Sequence, residues 1–320
     1  MKERGNAGAW YRWEAWGGFL FLAVACLIVG LLKPRFLSPA NLLTIAQQAS
    51  PLLIAAVAQA FVVMAGEIDL SLGSAAAVIS MVAVMSAKSL GTVPGILMGL
   101  LTGASLGFLN GIVVTRLRVP AFIATVGMLT YAQGIALYLG GGVPIEFPPP
   151  SFAWPGQGFL GPLPAVTVIA AMVLIFVHLV LTRTVFGRHL RATGGNRLVA
   201  LLSGVHVQRV RLAAFVLSGT FTGLSAIVLA SRVNSGQPYL YPSLPFEAIA
   251  ALAVGGISLR GGEGTVRQIL LGVLIFSAMS NALNFFAISS YVQQMITGAM
   301  TVLALLFSRW QGLPRAKEGG

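Results

Sequence analysis

The sequence predicts an all-α fold, a polytopic transmembrane helical bundle, and three observations lead there. Of 320 residues, 57% are apolar and 9% charged, whereas a soluble domain carries about 25% charged residues to face water. The apolar residues run in blocks of about 20, without the roughly ten-residue alternation of a barrel strand. The 38 glycines suit helices that pack closely, which they need because lipid supplies no hydrophobic drive for helix association. The single cysteine, Cys26, excludes an intrachain disulfide and a cysteine-based metal cluster. The net charge of +12 reads as basic cytoplasmic loops, with no nucleic-acid partner and no cofactor expected.

Ten apolar windows follow in order: 17–32, 42–64, 70–87, 92–115, 119–139, 163–182, 212–231, 245–256, 267–287 and 291–308. The first reads as an uncleaved span, because Lys33-Pro34-Arg35-Phe36 follows it without a small-x-small cleavage site. The first, third and eighth are short, which calls for small tilt, a break or an extension. With the N-terminus inside and sides alternating, sixteen of the 20 basic residues fall inside and only Lys33, Arg35, Lys88 and Arg232 outside. That bias satisfies the positive-inside rule and puts both termini in the cytoplasm. The chain is one membrane domain over 1–320, with an outer loop at 140–162 and an inner loop at 183–211. The outer loop contains Pro148-Pro149-Pro150 and Trp154, so it is not a regular helix.

Three segments carry candidate chemistry. In Gly66-Glu67-Ile68-Asp69-Leu70-Ser71-Leu72-Gly73, two carboxylates sit between apolar spans with almost no loop. Two readings stand. Asp69 and the serines can cap the next helix at a tight turn, or Glu67, Asp69 and Ser71 line a solute path through a broken helix. A second break, Gly255–Gly264, aligns with the first at Gly66/Gly255, Ile68/Ile257, Leu70/Leu259 and Gly73/Gly262, a candidate internal duplication. The inner loop holds six arginines, two histidines and no acid. Within it, Asn196 can cap a short helix ending near Gly204 that puts Leu198, Leu201 and Leu202 on one face. That face suits a groove on a partner, ahead of anionic lipid. No G-x-x-x-x-G-K-[ST] string occurs, so ATP hydrolysis, where needed, falls to another chain. Glu247, near the outer end of the eighth window, faces either the solute path or headgroups. His178 reads as a packed histidine. The amides Gln59, Asn110, Gln133 and Asn281 read as interhelical glue.

Ala65–Ser74, Val119–Met128, Gly194-Gly195-Asn196 leading to Leu202-Ser203-Gly204-Val205, Ala248–Gly256 and Leu259–Thr265 together resemble the ribose-type permeases of ABC importers, a family that also includes branched-chain amino acid permeases. The resemblance covers about residues 36–308 in the family's order. It implies a permease subunit that is not itself an enzyme, in the bacterial inner membrane. It also implies a second permease subunit, a cytoplasmic ATPase dimer and a periplasmic solute-binding protein for a small sugar. On this basis Asn196, Arg197, Leu198, Ala200, Leu201, Leu202, Ser203 and Gly204 form the coupling helix seated in the ATPase. Arg197-Leu198-Val199-Ala200 departs from the family's more acidic, alanine-rich pattern, which puts the individual ATPase contacts in question.

Overall fold

Glycine decides how closely the central helices approach. In the computed structural model, which describes the backbone of residues 7–311 and the side chains of residues 17–303, α1 (Ala7–Leu32) leads into α2 (Pro39–Met64), α3 (Leu72–Leu90), α4 (Thr92–Thr115) and α5 (Ala121–Gly140). The single turn α6 (Trp154–Gln157) precedes α7 (Ala165–Arg183), α8 (Val185–Gly195), α9 (Arg197–Leu202) and α10 (Val207–Val233). The chain continues through α11 (Leu244–Val254), α12 (Val266–Phe285) and α13 (Ser290–Gln311). Gly99, Gly103 and Gly107 recur every fourth residue on the α4 face that meets α10. A Cβ on Gly103 would strike Gly219 O, and one on Gly107 would strike Phe215 O. Only a bare backbone fits, so the two helices touch main chain to main chain.

α2 runs through the middle of the bundle, and from Ile54 to Met64 its residues are almost wholly inaccessible. Phe61 stacks on Phe221 of α10 with ring centroids 5.8 Å apart. Ser38 caps its start, accepting from Asn41 N at 3.3 Å. Asn41 and Asn281 exchange amide hydrogen bonds of 2.9 and 3.1 Å, fastening α2 to α12 as interhelical glue. The start of α12 is a capping box, with Thr265 and Gln268 each accepting from the other's backbone N–H.

All ten apolar windows fall largely on helices. Among the described residues, seven helices (α2–α5, α7, α10 and α12) are long and apolar enough to cross. Gly17–Leu32 of α1 and Leu244–Val254 of α11 are apolar but shorter. The charges behind the expected cytoplasmic ends (Lys2, Arg4, Arg12, Arg309, Arg315 and Lys317) lie outside the described side chains. His178, expected in the packed interior, is exposed on the outer face of α7.

The two ends of the bundle differ in charge. The connections α2–α3, α4–α5, α7–α10 and α11–α12 meet at one end, which carries Arg116, Arg118, Arg183, Arg188, Arg191, Arg197, Arg209, Arg211, Arg260 and Arg267. The opposite end carries Lys33, Arg35, Lys88 and Arg232. There the 140–162 loop is pinned by Ile145–Glu146 pairing antiparallel with Ser235–Gly236 and by Gln157 donating to Arg232 O at 3.0 Å.

The glycine contact gives a matched test. Gly107→Ala drives a methyl into the Phe215 carbonyl and should cost about 1–3 kcal/mol, read as a lowered unfolding temperature in detergent. Gly17→Ala on α1, where a Cβ meets nothing within 4 Å, should not lower that temperature.

Candidate functional site

Three glycine turns converge at the arginine-rich end. α2 terminates in a left-handed cap: Gly66 has φ +77°, Gly66 N donates to Val63 O at 2.8 Å and Glu67 N to Val62 O at 3.0 Å. α11 terminates the same way, with Gly256 at φ +85°, Gly256 N donating to Ala253 O at 3.0 Å and Ile257 N to Leu252 O at 2.9 Å. The matching residues are therefore Gly66 and Gly256, one position away from the expected Gly66/Gly255 alignment. In the structural register only the glycine itself matches within 66–73, so the four-residue sequence match does not coincide with the two left-handed caps. Beyond the caps the two segments part, because 67–71 turns back along α2 whereas 257–265 crosses to α8.

Gly262 N donates to Met64 O at 3.0 Å, and a Cβ on Gly261 would lie 2.7 Å from Gly66 Cα. Gly194, at the end of α8, presses against Met64 O and Gly262 N so closely that any side chain there would collide. Arg191 secures the junction, donating to Leu181 O at 3.0 Å and Gly264 O at 3.3 Å.

Residues 67–71 are non-helical and run back into the bundle. With the Gln59 amide turned so that Nε2 donates to Asp69 O (3.0 Å) and Oε1 accepts from Asp69 N (3.3 Å), Asp69 sits level with Gln59. That is about 7 Å inside the end of α2 at about 1.5 Å per residue. Thr125 Oγ1 lies 3.4 Å from Ile68 O as donor. Asp69 Oδ1 accepts from Ser71 N (2.8 Å) and Ser71 Oγ (2.6 Å), and Asn110 Nδ2 donates to Ser71 Oγ at 2.9 Å. The turn and the broken helix thus occur together. Ser71, the N-cap of α3, makes no side-chain cap bond, so the expected capping by Asp69 reduces to the Ser71 N–H. Asp69 and Ser71 are each 3% exposed and closed to solvent in this conformation.

Glu67 faces the other way. Its Oε1 accepts from Arg197 Nη2 at 2.5 Å and Arg211 Nε at 2.9 Å, and also from Arg211 Nη2. Arg197 Nη2 also donates to Gly66 O at 3.2 Å. The Glu67 and Arg211 side chains are each 9% exposed, that of Arg197 47%. The departure noted at Arg197 is therefore turned inward, to the first break. Arg211 was not singled out in the sequence; the available signal was an acid isolated among apolar residues in a chain whose inner loop is entirely basic.

α9 follows immediately. Asn196 Oδ1 accepts from Leu198 N (3.0 Å) and Val199 N (3.1 Å). Ser203 N donates to Val199 O at 3.0 Å and Gly204, at φ +82°, closes the turn onto Leu201 O at 3.0 Å. Ala200 anchors the helix inward, while Leu198, Val199, Leu201 and Leu202 stand 57–78% exposed. A groove of 610 Å³ beside it is lined by Leu198, Leu201, His206 and Arg209 among others. A second, of 650 Å³, runs from Gly66 and Glu67 past Arg118 to Phe122.

Glu247 lies apart, bonded within its own segment: it accepts from Tyr241 Oη at 2.5 Å and Ser243 Oγ at 2.7 Å. The chain before it descends along α3. Gly236 packs on Ser80 and Met81, and Tyr241 O reaches Gly73. Ser80 Oγ exchanges hydrogen bonds with Gln237 N (3.1 Å) and O (3.2 Å), and Gln133 Nε2 donates to Pro238 O at 2.8 Å. α11 is thus preceded by non-helical chain, 235–243, that runs beside α3. Glu247, in the first turn of α11, is at the outer end of its helix as expected, and that helix begins partway along α3.

The family model for the branched-chain amino acid transport system permease component matches residues 41–305. The chain belongs to that permease family. It is 38% identical over 298 residues to the ribose import permease protein RbsC of Bacillus subtilis, covering 92% of each chain. It is 32% identical over 311 residues to the L-arabinose ABC transporter permease protein AraH of Azospirillum brasilense, covering 96% of this chain and 91% of that one. Identity to RbsC of Escherichia coli K12 is 32% over 315 residues, covering 96% and 98%. The chain is thus a multi-pass ABC-importer permease subunit, and the ATPase is a separate subunit.

The two arginines on Glu67 should differ in thermal unfolding. Arg211→Ala leaves the buried carboxylate with only the half-exposed Arg197 and should cost up to about 3–5 kcal/mol. Arg197→Ala, at a half-exposed side chain, should cost about 0–1 kcal/mol. Equal losses would contradict the asymmetry in burial.

Proposed function

We propose that this chain is the membrane subunit of an ATP-driven importer for a pentose or similar small sugar in the bacterial inner membrane. The observation that carries the ATP-driven part is α9: a capped helix fixed on the glycine junction, with four large apolar side chains facing outward next to a basic groove. An exposed apolar helical row on a rigid base fits a groove of a cytoplasmic ABC ATPase dimer. The arginine-rich end is the cytoplasmic one by the positive-inside rule. The 140–162 loop at the other end then meets a periplasmic solute-binding protein.

The ten-span, both-ends-inside topology accounts for the short eighth helix. The non-helical 235–243 descends about 12 Å beside α3 and α11 adds about 16 Å, close to the ~30 Å hydrocarbon core. A second permease subunit fits α5, which leaves Phe122, Tyr131 and Tyr138 exposed and Gly127 and Gly134 open to close approach. The pentose rests on the relatives named for ribose and L-arabinose. A stand-alone ion-coupled transporter using Glu67 and Asp69 loses its footing, since two guanidiniums already occupy Glu67 and Asp69 is sealed.

Leu198→Asp combined with Leu202→Asp tests the docking. The double variant should insert and unfold like the wild type, yet lose co-purification with the cognate ATPase. Retained co-purification with stimulated ATP hydrolysis would refute the assignment of α9.

A further inference from the structure

Glu67 joins two elements through charged contacts. On one side is Arg197, the first residue of α9. On the other is the Gly66–Ser71 return, of which Glu67 is itself part, inserted among α2, α4 and α5 through Gln59, Asn110 and Thr125. The two cations differ in how firmly they hold. Arg211, in the first turns of α10, grips Glu67 through Nε and Nη2 and is braced by Gln208 Oε1 at 3.0 Å. Its side chain and that of Glu67 are equally buried, so parting them leaves an uncompensated charge. Arg197 reaches the same oxygen from a half-exposed position, where an ion pair is worth about 0–1 kcal/mol and is easily remade. Arg197 also holds Gly66 O, the carbonyl preceding Glu67 in a residue with φ +77°. A displacement of α9 therefore acts on a peptide at the hinge of the return and not on the middle of a rigid helix.

We propose that Arg197 and Glu67 form the positioning link through which movement of α9 reaches the 66–71 return. Arg211 holds Glu67 in place, and Arg197 is the contact that is made and broken. This deepens the importer reading and rests on it. The arrangement gives the Arg197 departure from the alanine-rich pattern a role inside the permease, in place of one in the ATPase contact.

The test compares backbone-amide hydrogen exchange at 66–71 in the permease–ATPase complex, nucleotide-free and trapped with ATP and vanadate. In the wild type, exchange at 66–71 should differ between the two states. In Arg197→Ala, which leaves the buried Glu67–Arg211 pair intact, the co-purified complex should lose the difference at 66–71, whatever its rate of ATP hydrolysis. Arg197→Lys, which keeps one cationic donor, should restore part of it. A purely structural role for Arg197 would shift both states alike. A wild-type complex with no difference, or an Arg197→Ala complex with the full wild-type difference, overturns the link. If the wild type fails to assemble with its ATPase, the importer reading fails instead.

Discussion

Backbone that leaves the helix inside a membrane bundle has no water to bond with, so it must find side chains that take water's place. This constraint organises the structure. The 67–71 return takes Gln59 on both the N–H and the carbonyl of Asp69, with Thr125 at Ile68 O. The 235–243 descent takes Ser80 on both backbone groups of Gln237 and Gln133 on Pro238 O. Each amide and hydroxyl lies on a regular helix beside the irregular segment. The polar residues scattered through the apolar windows thus hold two non-helical stretches at membrane depth.

The second constraint is steric. Where Met64, Gly194, Gly261 and Gly262 meet, main chains of three connections lie within van der Waals reach, and the Met64 carbonyl accepts from Gly262 N. Such a junction cannot flex by rotating side chains, because there are none at the contact. Glu67, with Arg197 and Arg211, adds charged side-chain contacts beside this close-packed backbone.

Much of this was legible in the sequence because it depends on local chemistry. Asn196 with Gly204 delimits α9 as expected, since a side-chain cap and a left-handed glycine act within one turn. The apolar row Leu198, Leu201 and Leu202 followed from helical spacing. Less legible was anything that depends on which turns become neighbours. The pairing of Gly66 with Gly256 needed φ angles. The depth of Glu247 needed the path of the preceding nine residues along α3. Glu67 is separated from Arg211 by 144 residues, and no local pattern links them. The exposure of His178 was also invisible, because a single helix face cannot reveal whether a neighbour covers it.

By itself the sequence determined that this chain is a multi-pass helical protein with its cations gathered on one side, because burial of apolar blocks and placement of arginines depend on composition and spacing. It also marked the helix breaks, since glycine and carboxylates in apolar surroundings signal them in any fold. Only the tertiary structure decided what the breaks do: that one returns into the bundle and one crosses to α8, that Asp69 is sealed, and that Glu67 is held between Arg197 and Arg211. Those outcomes rest on close backbone contacts and on one carboxylate oxygen shared by two guanidiniums. Both exist only after distant segments have packed against one another.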